Sequence, residues 1–238
     1  GVFAAYASPY GCALVDMSPL IPEKWFTDEY RARRKNCRVP GDATYRTKPE
    51  LATEMLQAIS QENVLPFKYV LADKIYGASP EFISAVEALP GKIYMVTVTK
   101  DTQCWLKRPM TITKKYRWGG ETREKTVLAD PGSKPLTVEE LGKNINDYFW
   151  YRRQVSEGAK GPIVYEFTRR QIILSLGGLP QKTAWLLIRR SLGDDPKYSY
   201  FLCNAPSSTR LKMLVWLSGM RWAIEQCFEE TKTELGMD

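Results

Sequence analysis

Histidine is absent from all 238 residues of the chain. That excludes a complete Ser-His-Asp or Cys-His relay, and any zinc site built on histidine, within this sequence. Cysteine is sparse: Cys12, Cys37, Cys104, Cys203 and Cys227 are scattered, with no C-x2-C pair. An odd, dispersed set argues against a zinc ribbon or a disulfide framework and fits a reducing compartment. Long apolar runs are lacking too. TAWLLI (183–188) is among the longest, far short of the ~20 residues a membrane helix needs. No basic-then-apolar leader, internal repeat or low-complexity tract is found. Acidic charge is in deficit, 27 Asp and Glu against 34 Lys and Arg, for a net charge of +7. That excess weakly favours a polyanionic partner.

What is present is an ordinary globular balance, 44% hydrophobic and 26% charged, enough for one large domain or one domain with an inserted piece. The chain opens on GVFAAYAS, a strand already under way with no initiator Met, and stops at ELGMD just after a helix. It reads as a fragment. GVFAAYAS and CALVDMSPLI flank the turn signal Ser8-Pro9-Tyr10-Gly11, so they predict a hairpin. Basic irregular sequence follows, RARRKNCRVPGD (31–42). Thr47-Lys48-Pro49-Glu50 is a capping box with Pro in the first turn, opening a helix to about Ser60. FKYVLAD predicts a short strand ending at Asp73, Ser79 caps a helix over EFISAVEAL, and KIYMVTVTK alternates as a further strand. The order strand, strand, helix, strand, helix, strand predicts a mixed sheet with helices packed on it.

From about Asp101 to Ser199 the texture changes. KKYRWGGETREK and GAKGP are turn-like, TVEELGKNI is a short capped helix, and IVYEF, TAWLLIRR and YSYFLCN are strands. Residues 101–199 therefore read as a β-rich insertion, between a first core part (1–100) and a closing strand and helix (200–238). Ser207 or Ser208 caps one last long helix, with Met213, Leu217, Met220, Ile224 and Cys227 as its apolar stripe.

That last helix carries RWAIEQCFEETK, in which Arg221, Glu225, Phe228 and Lys232 share one face. A surface Arg–Glu pair is one reading, worth only about 0.3–0.5 kcal/mol in this base-before-acid order. The other is a phosphate backbone held by two cations roughly 16 Å apart, with a metal on the acid between them. Asp73, at the carboxyl end of an apolar strand, is where α/β sheets gather their active sites. A strand-end Asp is more often a helix cap. Yet a carboxylate there and one from a helix can hold Mg²⁺ together through oxygen.

The order of elements, ADKIYG (72–77), the β-rich insertion and RWAIEQCFEETKTELGMD (221–238) together resemble a DDE transposase of bacterial insertion sequences. The family's last motif reads Y-x2-R-x3-E-x6-K. The resemblance implies an RNase H-like α/β fold, a mixed sheet flanked by helices. It implies that Asp73 is the second catalytic Asp, Glu225 the catalytic Glu, both metal ligands, and that Arg221 and Lys232 bind DNA phosphates. Position 218, where the motif has Tyr, is Ser218. The first Asp belongs to a strand expected upstream of Gly1; Asp16 lies on the hairpin's second strand, where the resemblance places no ligand.

The implied chemistry is phosphoryl transfer on two Mg²⁺ (or Mn²⁺) ions, which cuts transposon-end DNA and joins it to target DNA. It calls for no histidine. Partners implied are DNA and a second copy of the protein, in the bacterial cytoplasm at the nucleoid. An RNase H-like nuclease that only hydrolyses, and an inactive DNA-binding remnant, are the alternatives. A chain without the first acid is expected to cut nothing alone. Further phosphate contacts are open for Arg31, Arg33, Arg34, Lys35 and Arg38, and for Lys114, Lys115 and Arg117; a solvated charged face is the other reading. Trp118, Trp150 and Trp185 are candidates for stacking on a base, with Trp185 placed in the core by its apolar strand.

Overall fold

A period of two organises the first elements. In the computed structural model, which describes residues 1–8, 10–158, 161–220 and 222–235, β1 (Val2–Ser8) and β2 (Gly11–Ser18) pair antiparallel. Phe3, Ala5 and Ala7 stand opposite Met17, Leu14 and Cys12, whereas Val2, Ala4 and Tyr6 stand opposite Ser18, Asp16 and Ala13. Directly opposed residues share a face, so these are the two faces of the hairpin. The register shifts between Ala4 and Ala5, leaving Val15 as the extra residue and turning Asp16 onto the Val2 face.

The basic stretch after the hairpin holds a short helix, α1 (Arg31–Asn36), where the sequence pointed to irregular chain. Its arginines are good helix formers, and they are anchored. The Arg34 guanidinium donates to the carbonyls of Trp25 and Thr27 and lies over Phe26, while Arg33 lies over Trp25. Nothing apolar repeats at helical spacing, so periodicity could not show it. α2 (Lys48–Glu62) opens on the expected capping box, with the Glu50 carboxylate accepting from Thr47 N at 2.7 Å, and closes at Asn63 with φ 52°. Its Leu51 and Met55 bury against Val2, with Ala4, Leu20, Ala52 and Tyr76 around them. β3 (Tyr69–Ala72), α3 (Lys74–Gly77) and α4 (Pro80–Ala88) follow, the last capped by the Ser79 hydroxyl.

Two compact units divide the chain: Gly1–Ile93 with Met220–Asp238, and Tyr94–Gly219. The second is strand-rich. Its strands are β4 (Ile93–Val98), β5 (Gln103–Trp105), β6 (Thr111–Trp118), β7 (Glu121–Leu128) and β8 (Leu136–Thr137). After α5 (Val138–Lys143) come β9 (Tyr151–Gly158), β10 (Gly161–Leu176), β11 (Leu179–Arg190) and β12 (Tyr198–Cys203). They run β4-β12-β11-β10-β5-β8, with β9 also on β10, and β6 and β7 form a ribbon of their own. Along β11, Ala184 to Ile188 are all buried. An unbroken apolar run is what a strand covered on both faces requires. α5 approaches this sheet at Gly142, where a Cβ would lie 3.3 Å from Tyr200 Cε1, so glycine sets the closeness of packing. At the β9–β10 pair, Glu166 accepts from Arg152 (3.1 Å) and Arg190 (2.8 Å), and Arg190 also reaches Asp147 at 2.8 Å. Burial alone would raise the Glu166 carboxyl, but the hydrogen bonds from Arg190 and Arg152 outweigh it and hold the carboxyl below its usual range.

The helical C-terminal region forms α6 (Leu211–Met220) and α7 (Trp222–Leu235). Ser207 and Ser208 are not the cap: they sit in a turn where Thr209 N donates to Pro206 O, and the first helical residue is Leu211. α6 buries Leu214, Val215, Leu217 and Ser218 rather than Met213, which is exposed. α7 packs on β1 and β2, with Phe228 meeting Phe3 edge to face at 5.1 Å. Among the described residues no helix is long and apolar enough to cross a membrane.

Candidate functional site

Asp73 is where the chain turns from β3 into α3. Its backbone is extended (φ −82°, ψ −175°) and its Oδ1 accepts from Ile75 N at 2.8 Å, so it is the N-cap of α3. That bond orients the carboxylate at a strand end, half-buried. Its charge is felt by Tyr76, whose hydroxyl is pushed above its ordinary value first by burial and then by Asp73. Tyr76 in turn packs on the Val2, Leu51 and Met55 core and on Phe82, ring to ring at 5.3 Å. The capping role and a ligand role are compatible, because one amide donor uses only part of a carboxylate's acceptor capacity.

Glu225 stands in the first turn of α7 with its side chain exposed. Arg221 lies outside the described residues, and so does the side chain of Lys232. Asp73 and Glu225 come from far apart in sequence, and both belong to the unit formed by the two ends of the chain. Among the described residues no three His, Cys, Asp or Glu side chains form a group that could hold a metal. Asp16 is directed elsewhere. Its Oδ1 accepts from Met17 N at 2.7 Å, and it lines a cavity with Ala58, Ile59 and Glu62 at the end of α2. The opposite face of the hairpin is the one that meets α7, through Phe3 and Cys12. Ser218 is buried, its hydroxyl bonded to Val215 O at 2.8 Å, so it does not present a side chain to a ligand from the surface of α6.

The basic segment around position 117 is not a turn but the β6–β7 ribbon, closed by Gly119 (φ 60°) and Gly120 (φ 84°). Positive φ at both central residues is the type I′ geometry that two-residue hairpins favour. Gly-Gly between two alternating runs was the signal that could have revealed it. The ribbon is exposed along nearly its whole length. One face carries Ile112, Lys114, Tyr116 and Trp118 opposite Val127, Lys125, Arg123 and Glu121. Lys114 thus stands directly across from Lys125, an arrangement that destabilises a bare ribbon and is relieved by an anion. Elsewhere the ribbon compensates its charges, Lys115 with Glu124 at 3.3 Å and Arg123 with Glu121 at 3.5 Å. Trp118, at the tip, is 68% exposed, whereas Trp150 and Trp185 are buried. The buried pair bond to Ile145 O and Pro206 O and lie under Arg190 and Arg169. Of the three candidate stacking residues, Trp118 alone presents an open ring. In α1, Arg33 lies over the Trp25 ring and Arg34 donates to Thr27 O, so both make local contacts.

The family model described as DDE superfamily endonuclease matches residues 1–162. The chain belongs to the DDE superfamily endonucleases. No curated protein matches it. The matched region of this DDE endonuclease takes in the hairpin, Asp73 and the ribbon, and ends before Glu225. Its mixed α/β architecture is that of an RNase H-like DDE domain. Membership supports a nuclease- or transposase-type function with DNA as the substrate, in a superfamily whose enzymes generally use divalent metals.

Proposed function

We propose that this chain is the catalytic region of a DDE transposase that cuts transposon-end DNA and joins it to target DNA. The observation that carries the reading is the family match across Asp73, a carboxylate at a strand end, in one compact unit with the R-x3-E-x6-K helix. Asp73 and Glu225 are the proposed ligands. Both offer oxygen, the donor Mg²⁺ and Mn²⁺ prefer. When bound, two such ions supply activation of the attacking oxygen and stabilisation of the leaving one. The chain's own part is to orient: the Ile75 amide fixes the Asp73 carboxylate, and α7 holds Glu225 by packing Phe228 on Phe3. Arg221 and Lys232 are the proposed phosphate contacts on that helix. The same reading takes 101–199 as the family's insertion and a homodimer as the working form.

The test is the full-length protein on DNA carrying the element's ends, with Mg²⁺, Mn²⁺ or EDTA. Metal-dependent cleavage with joined products is the expected result. Cleavage without joining would make it a hydrolytic nuclease, and no cleavage in either metal would end the reading.

The ribbon adds a second expectation. Lys114→Ala and Lys125→Ala should each lower the slope of log affinity against log salt by about 0.9, one phosphate apiece. An unchanged slope for both would leave the ribbon a solvated hairpin.

A further inference from the structure

We propose that Cys12 and Cys227 are an oxidant-sensitive dithiol that closes into an intramolecular disulfide. The two sulfurs lie 2.8 Å apart although 215 positions separate them in sequence. They are brought together by the packing of α7 on the hairpin, and Phe3 and Phe228, on the same two surfaces, hold that register at 5.1 Å. No disulfide joins them in the structure. The sulfurs are already within an ångström of bonding distance, about 2.05 Å.

The other cysteines are differently placed. Cys104 and Cys203 are fully buried, and burial pushes each thiol up to about 11, which suppresses the reactive thiolate. Cys37 is exposed on the short segment after α1. Cys12 is half-buried and Cys227 is 4% exposed, so the oxidant meets Cys12 first.

With hydrogen peroxide as oxidant the atoms balance in two steps. The Cys12 sulfur attacks one peroxide oxygen, forming an S–O bond as the O–O bond breaks, to give a sulfenic acid and water. The Cys227 thiol then attacks that sulfur. An S–S bond forms, the S–O bond breaks, and the oxygen leaves as a second water. A thiol reductant reverses the bond by exchange. Because α7 also carries Glu225, the bond would tether the helix of the proposed carboxylate; that consequence rests on the function proposed above, and the bond does not.

The experiment is peptide mapping of the purified chain before and after hydrogen peroxide, with alkylation of remaining thiols and trypsin digestion. The expected product joins Gly1–Lys24 to Trp222–Lys232, lighter than the two peptides by two hydrogens and split again by dithiothreitol. It should vanish in Cys12→Ser and in Cys227→Ser. In the unmodified sequence the oxidised form should melt several degrees higher than the reduced form, since the bond closes a long loop. Full alkylation of both cysteines after peroxide, or linkage of either to Cys37 instead, would overturn the proposal. Cleavage activity is not needed for any of these readouts, so failure of the transposase reading would be seen separately.

Discussion

Asp73→Asn should lower DNA cleavage by the full-length protein by about a thousandfold, a loss of the order seen when one preorganised charge-stabilising group is removed, and leave its thermal stability unchanged. The substitution separates the two roles of this side chain. Asparagine keeps an oxygen that accepts from Ile75 N, and Asn and Asp are about equally good N-caps. What it removes is the negative charge on which binding of a hard cation depends. Single-turnover cleavage beside a melting curve checks both halves. Asp73→Leu, by contrast, should cost about 1 kcal/mol as well, through the lost cap. Asp16→Asn is the matched control. Its carboxylate lies on the α2 face of the hairpin, away from α7, so cleavage should stay within a fewfold of the parent. If Asp73→Asn kept its rate and Asp16→Asn lost it, the site would have to be rebuilt on the other face.

Phe167→Ala should destabilise the strand-rich unit by about 3–5 kcal/mol. Phe167 is completely buried in β10, opposite Arg189 of β11 and Tyr151 of β9, with Tyr165 edge-on at 6.5 Å. A strand held from both sides cannot close over the space, so the transfer loss and the cavity add. Against a typical total of about 5–15 kcal/mol this is a large share. Urea unfolding followed by tryptophan fluorescence reads it, since Trp105, Trp150 and Trp185 are buried in the same unit. The midpoint should fall with little change in slope. A loss below about 1 kcal/mol would show that the site collapses freely, and β10 would not be the core strand its burial indicates.

Much of the first unit was legible residue by residue. Thr47 with Glu50, Ser79 before Pro80, and the apolar run into Asp73 are local signals, each with its cause inside a few residues, and each element stands where they indicated. α1 was not legible, because what holds it is a guanidinium reaching back to Trp25 and Thr27 rather than a repeating apolar face. The ribbon was misread as a turn because it is exposed on both faces and charged residues interrupt its one apolar row of Ile112, Tyr116 and Trp118, so the alternation is weak. Of the apolar stripe that periodicity selected at the C-terminal end, Leu217 and Cys227 are buried, but Met213 is exposed and Leu214 and Val215 are buried instead.

By itself the sequence determined the class of chemistry open to this protein. A chain without histidine cannot complete a histidine relay by itself, and the family match supports a nuclease- or transposase-type function, for which Asp73 and Glu225 are the carboxylates proposed above. The tertiary structure decided the relations that local signals cannot carry. A one-residue bulge at Val15 turns Asp16 toward α2 and leaves Phe3 and Cys12 facing α7. Five cysteines that look dispersed along the chain include two whose sulfurs touch. Side-chain direction in a strand reverses with every residue, so one inserted residue reassigns a face, and long-range proximity follows from packing rather than from any pattern along the chain.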